Sequence, residues 1–304
     1  DAGAHSERNE ETLKRLQRFT EKEFEPLQKH YDHHTFMGLP RMELSRKFDD
    51  FVNQGTEQIL LACASPEYYP EHFLGQWLSE KLSVPFGQNA WFYLSPGGRP
   101  FTLGPQQAAR DKIRRGIEFL QQATMKQKLP TVLENTKHGF LLVLNGLYLH
   151  TSDTEMLGED LGALFRLVQD IPDARFILFF HPEYAYWVRY ILEQTTKDDK
   201  LPQKIIQLRE KDFAMDIPSL NTFIRRTRAD WDIHKIKASA IQLPNILTIP
   251  GFLHSYVRLL NKNGNPPDVL CFFYSWVKLH ILATPQGAEN MKFINSFFEQ
   301  TAYL

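Results

Sequence analysis

Three groups of residues carry side chains that do chemistry. His30-Tyr31-Asp32-His33-His34 crowds imidazoles around a carboxylate. Those types bind zinc when the backbone sets them tetrahedrally, and on a helix His30 and His34 share a face. His138, His150 and Asp153 flank an apolar run, and His150 with Asp153 has the types for general acid–base work. Cys63 is a nucleophile only if its thiol pKa is lowered. Each group also has a plainer reading. The histidine cluster lacks an HExxH spacing and a matching Cys or acidic cluster, so it reads as a solvated helix end. His150-Thr151-Ser152-Asp153 reads as a polar loop whose Ser152 or Asp153 caps the next helix. Cys63 stands at a strand end near Glu67, which disfavours a thiolate, and no Gly-x-Ser-x-Gly elbow is present. No catalytic residue, cofactor or metal site is assigned on this basis.

The elements that must position such residues follow from periodicity. From Glu7 to Phe51 the chain reads as helix, with Leu13, Leu16 and Phe19 on one stripe and Pro26 expected to bend or end the first segment; Asp1 to Ser6 reads as a frayed end. A second helix holds Leu44, Phe48 and Phe51. From Glu57 strands and helices alternate. Apolar runs at Ile59–Ala64, Ala90–Leu94, Phe140–Leu144, Arg175–Phe180 and Lys204–Leu208 predict five strands. Helical spacing separates them, for example Leu157, Leu161, Leu164, Phe165 and Val168. After Asp212 the pattern is helical throughout, with Ile217, Leu220, Phe223, Ile224 and Trp231 on one segment. The expected fold is α/β: about five mostly parallel strands with helices on both faces, then a helical lid-like region, with helical flanks. The expected divisions are an N-terminal helical arm (1–52), an α/β core (53–212), a lid-like region (213–264) and a C-terminal helical extension (265–304).

The succession from Glu57 to Leu260 resembles the AAA+ P-loop ATPases of the general-secretion, transposition and origin-binding kind. Phe179-Phe180-His181-Pro182-Glu183-Tyr184 resembles the end of that family's fourth strand. Ile205-Ile206-Gln207-Leu208 followed by Leu220-Asn221-Thr222-Phe223-Ile224-Arg225-Arg226 resembles its passage into the lid, and Ile241 to Leu260, with Pro250-Gly251, its last lid helices. The resemblance implies a phosphate loop after the first strand, acids after the third and a sensor arginine in the lid. The residues depart at all three places. Ala64 to Phe73 has no glycine and no lysine, and it carries Ser65, Glu67, Tyr68 and Glu71 with two prolines. Phosphate loops need converging N–H groups and a cation. Asn145 or Gly146 stands where the metal-holding acid belongs, and Leu253 or His254 where the sensor arginine belongs.

Composition narrows the partners. The net charge of −1 gives no overall pull toward nucleic acid or anionic membrane. Lys112, Arg114 and Arg115, and Arg225, Arg226 and Arg228, are local basic clusters that read as solvated or salt-bridged helix faces. Two cysteines make no disulfide framework, which fits a reducing, cytoplasmic setting, and no apolar run has the length to span a membrane. Aromatics concentrate at Phe272-Phe273-Tyr274 with Trp276, at Tyr184-Tyr186-Trp187, and at Phe293, Phe297 and Phe298. Phe272, Phe273, Tyr274, Trp276, Phe297 and Phe298 are the candidates for docking a protein partner or a second copy. The expectation is a non-catalytic, pseudo-ATPase scaffold or adaptor subunit of a multiprotein assembly, with secretion machinery as the nearest context. The alternatives are a divergent nucleotide-binding hydrolase, a hydrolase using His150 and Asp153, and a nucleic-acid-associated adaptor.

Overall fold

The computed structural model describes residues 2–32, 41–83, 89–96, 106–124, 128–147, 149, 154–195, 204–227, 234, 248–263, 272–274, 276, 291–292 and 295–296. They fall into two compact units. The first comprises Asp1–Met37, Leu44–Ser65 and Pro70–Asp212; the second comprises Gly38–Glu43, Pro66–Tyr69 and Phe213–Leu304.

The first unit is built on β1 (Ile59–Cys63), β2 (Asn89–Leu94), β3 (Gly139–Gly146), β4 (Ala174–Phe180) and β5 (Ile205–Leu208). They form one sheet in the order β2-β3-β4-β1-β5, and every pairing is parallel. The expected α/β architecture is therefore present. The apolar runs of β1 to β4 are buried on both faces, as parallel strands under crossover helices must be, while β5 at the sheet edge is half-buried except at Leu208.

Alternation along the strands sorts the core into two layers. Ile59, Leu61, Phe92, Leu94, Leu142, Leu144, Phe176 and Leu178 share one face. That face packs beneath α4 (Gln106–Thr124), α5 (Lys128–Thr136), α6 (Thr154–Gln169) and α7 (Ala185–Thr195). Phe119 of α4 stacks near Phe92, and Phe165 of α6 meets Phe176 edge-on. The opposite face takes α2 (Met42–Asn53) and α3 (Pro70–Leu82), where Phe48 packs on Phe73, Trp77 and the strand residue Phe179. Burying each such ring contributes about 1.5–3 kcal/mol. Arg175 ties β4 to this layer by donating to the carbonyls of Val52 and Gly55 at the end of α2, both at 2.8 Å. A cation there also suits the negative end of the helix.

Helix α1 (Ala2–Asp32) covers the outer edge of the sheet. Its buried Thr20 donates to the Trp91 carbonyl (2.8 Å) and accepts from the Tyr93 N–H (3.3 Å), satisfying edge groups that β3 cannot reach. Two expectations change here. Pro26 does not end the helix, which continues to Asp32 and buries Leu27 beyond the proline. The stretch Ala2 to Ser6, read as frayed, belongs to the same helix. Helix α5 has no counterpart in the sequence reading; only Leu129, Val132 and Leu133 mark its buried side.

The described part of the second unit is helical, with α8 (Ile217–Thr227) and α9 (Pro250–Asn263). Asp216 caps α8 by accepting from the Ser219 N–H at 2.7 Å. Trp231, expected on the same segment, lies outside the described residues.

Candidate functional site

Chain order across the sheet fixes where a site can form. After β1 the chain crosses to the far edge at β2, returns through β3 and β4, and then passes β1 to reach β5. The crossover that carries α3 and those that carry α4 to α7 therefore lie on opposite faces. In open parallel sheets ligands enter beyond the carboxyl ends of strands where the crossovers reverse. Here that point lies between β1 and β4, bordered by the ends of β3 and β5.

The polar groups at this edge are bonded to one another. Glu71, in the first turn of α3, is only 5% exposed, and Asn145, near the end of β3, 1%. Asn145 Nδ2 lies 3.2 Å from Glu71 Oε1 and 3.3 Å from the Tyr93 hydroxyl, and its Oδ1 accepts from the Leu147 N–H at 3.3 Å. The amide thus uses both ends, and its donor to the buried carboxylate is neutral. Burial pushes the Tyr93 phenol well above its ordinary value, against the hydrogen bond from Asn145, and the Glu71 charge pushes it further. Such a phenol stays protonated at neutral pH. Beyond β1, Ser65 donates to Glu210 at 2.6 Å.

Gly146 completes the packed edge. It is the last residue of β3, with Phe180 as its register partner, and a Cβ there would sit 2.5 Å from the Phe180 ring. Asn145 and Gly146, read from sequence as following the third strand, are its final two residues. Cys63 ends β1, and burial pushes its thiol up to about 12, which removes it as a nucleophile.

The loop after β1 belongs to the second unit. Pro66–Tyr68 forms a single 3-10 turn closed by the Tyr69 N–H on the Pro66 carbonyl at 2.9 Å. Tyr69 then takes φ of 49°, a left-handed conformation uncommon for a bulky residue. Arg41 Nη2 donates to the Tyr68 carbonyl at 2.6 Å and the Tyr69 carbonyl at 3.3 Å. Burial pushes the Tyr69 phenol up to about 12, with the Arg41 charge opposing. Helix α9 approaches the turn closely at Gly251, its second residue, where a Cβ would lie 2.8 Å from the Glu67 carbonyl oxygen. The turn offers carbonyls to a guanidinium. Pro66 and Pro70 have no N–H, and that of Tyr69 donates to the Pro66 carbonyl.

The remaining candidates disperse. His254 lies in α9, and the neighbouring Leu253 is fully buried. Phe272 is buried too, against Phe252, Phe273 and Tyr256, so it serves as core within its own unit. Phe273, Tyr274 and Trp276 are half-buried, Trp276 against Phe252 and Tyr274 donating to Asn295 at 2.9 Å. Phe297, Phe298, His33, His34, His150, Asp153 and Arg228 lie outside the described residues. Among the described residues no group of three or more His, Cys, Asp or Glu is set to hold a metal, and no helix is long and apolar enough to cross a membrane. On α4, Lys112 donates to the Ser95 carbonyl at 3.2 Å, and Arg114 joins Arg110 on Asp160.

Sequence reasoning did not find Tyr93 or Glu210 as partners within the first unit, nor Arg41 within the second. Glu71 carried a local signal, an acid in the first turn after Pro70. Arg41 carried none, because its bonds join positions 27 and 28 residues apart. No protein-family model matches the chain, and comparison with curated proteins finds no match.

Proposed function

We propose that this chain is a non-catalytic platform subunit, a relative of the AAA+ P-loop ATPases that keeps their succession of elements without their nucleotide chemistry. The observation that carries this reading is the bonded set Glu71–Asn145–Tyr93 at the carboxyl edge of the sheet. In the resemblance, the start of the helix after the first strand and the end of the third strand hold phosphate and metal. Here the corresponding residues are a carboxylate and an amide joined by a hydrogen bond. The carbonyl-presenting turn at Pro66–Tyr69 supports the same reading. A fold of this kind with an unused site is available as a binding surface. Other protein subunits are its partners, copies of itself among them, in a cytoplasmic assembly of the secretion-machinery type. The engaged cations of α4 favour protein over nucleic acid as the partner.

The test is ATP turnover by the purified full chain with Mg²⁺. The expected result is background phosphate release, unchanged in Ser65→Ala. Turnover above background that Ser65→Ala abolishes would contradict the proposal and restore the divergent hydrolase.

A further inference from the structure

The outer surface of α6 and α7 combines exposed aromatic area with carboxylates that make no ion pair with Lys or Arg among the described residues. The inner side of α7 is buried through Val188, Ile191 and Leu192. Its outer side presents Tyr186, 83% exposed, and one turn on Tyr190, 52% exposed. The neighbouring α6 packs close, since Gly158 faces Trp187 and Ile191 and Gly162 faces Ile191 and Thr195. Met156 of α6, 43% exposed, accepts at its sulfur from Arg110 of α4 at 3.6 Å and lies outside this seam. Aromatic side chains of this size left in water mark an interaction surface, and tyrosine is a residue that anchors interfaces.

Charge selects the occupant. Glu155 and Glu159 on α6, and Glu183 just before α7, are exposed and make no ion pair with Lys or Arg among the described residues. Glu183 Oε2 has His181 Nδ1 at 3.7 Å. The cations of this surface are largely taken: Arg189 pairs with Glu193 at 2.9 Å, and Arg110 with Asp160 at 2.8 Å. Arg166, two turns beyond Glu159, is the exception. Among the described residues the uncompensated charge on this surface is therefore mostly acidic, three carboxylates against Arg166, and tyrosine faces attract Lys and Arg.

We propose that the α6–α7 surface binds a basic segment of a protein partner, with Lys or Arg side chains lying over Tyr186 and Tyr190 and pairing with Glu155, Glu159 and Glu183. This rests on the platform reading and names the class of partner. The two fail separately, because nucleotide turnover says nothing about peptide binding at this surface.

The experiment measures fluorescence anisotropy of a labelled amphipathic peptide of alternating Leu and Lys turns, titrated with the full chain at several salt concentrations. Binding that weakens with salt is expected, and no binding is expected for the same peptide with Glu in place of Lys. Tyr186→Ala with Tyr190→Ala leaves the charge unchanged and should weaken binding about tenfold or more. Glu155→Gln with Glu159→Gln and Glu183→Gln should weaken it and flatten the salt dependence. Melting curves check folding, and Tyr186→Ser alone, at the most exposed position, supplies a second reading. Absent binding overturns the proposal. So does binding that is equal in all variants, which is diffuse charge attraction. So does a dimer of the chain in sedimentation that the tyrosine variants dissolve, which makes a second copy the occupant.

Discussion

Asn145, near the end of β3, and Glu71, at the start of α3, share a hydrogen bond of 3.2 Å with both side chains shut away from water. An amide in this place gives the carboxylate a donor without adding charge. Asn145→Asp would set two carboxyls against each other in a buried site, raising the folded-state pKa of the introduced group above its unfolded value of about 3.9. A raised carboxyl pKa favours the folded state only while the group is protonated, so the variant loses stability as pH rises. Relative to wild type it should lose about 2–3 kcal/mol near neutral pH, and the loss should shrink toward about pH 4. Urea denaturation at a series of pH values measures this; a loss that does not vary with pH would count against a buried pair of carboxyls.

Gly146→Ala tests the packing beside that pair. The added methyl meets the Phe180 ring at 2.5 Å on a paired strand, where neither backbone has freedom to move away. The expected destabilisation is about 1–3 kcal/mol. Phe180→Leu, costly alone, should recover part of the loss when combined with Gly146→Ala, and a double-mutant cycle reads that coupling.

The sheet was legible because its strands are buried on both faces. Continuous apolar runs such as Phe140–Leu144 and Phe176–Phe180 cannot sit elsewhere in a chain of this composition, and α6 announced itself through Leu157, Leu161, Leu164, Phe165 and Val168. Strand order was not legible, since it depends on which crossover packs on which face. Pro26 misled because proline removes one backbone bond, a local penalty that the burial of Leu27 in the following turn opposes. The candidate site was half visible. Ser65, Asn145 and Gly146 stand out in the sequence by what they lack, while their partners Glu210, Glu71 and Phe180 come from distant segments that periodicity does not connect.

Arg41→Met tests whether the guanidinium holds the turn at Pro66–Tyr69. Its two bonds to the Tyr68 and Tyr69 carbonyls are charge-assisted, and their loss should remove about 2 kcal/mol of local stability. Hydrogen exchange at the Tyr69 amide, which now donates to the Pro66 carbonyl, should become roughly thirtyfold faster. Unchanged protection would mean that the turn closes without the arginine.

Lys47 and Asp212 give a pH signature of their own. Burial alone would raise the Asp212 carboxyl, but the Lys47 ammonium at 2.8 Å and the Arg209 N–H hold it below its ordinary value. A lowered carboxyl pKa contributes stability above the unfolded pKa of about 3.9, and that contribution fades as pH falls through the folded value. Lys47→Met should therefore be less stable than wild type at neutral pH, with the two converging in acid. The gap should stay within about 1 kcal/mol, because the pair is partly exposed.

The most direct test of the central claim is thermal melting of the full chain with millimolar ATP or ADP and Mg²⁺, against Mg²⁺ alone. With Glu71 and Asn145 bonded to each other and the turn at Pro66–Tyr69 closed, the account predicts an unchanged Tm. A ligand that binds only the folded state at a hundredfold excess over its Kd adds about 2.7 kcal/mol of stability. A rise in Tm of that order with either nucleotide would show that the site still binds, and would contradict the account.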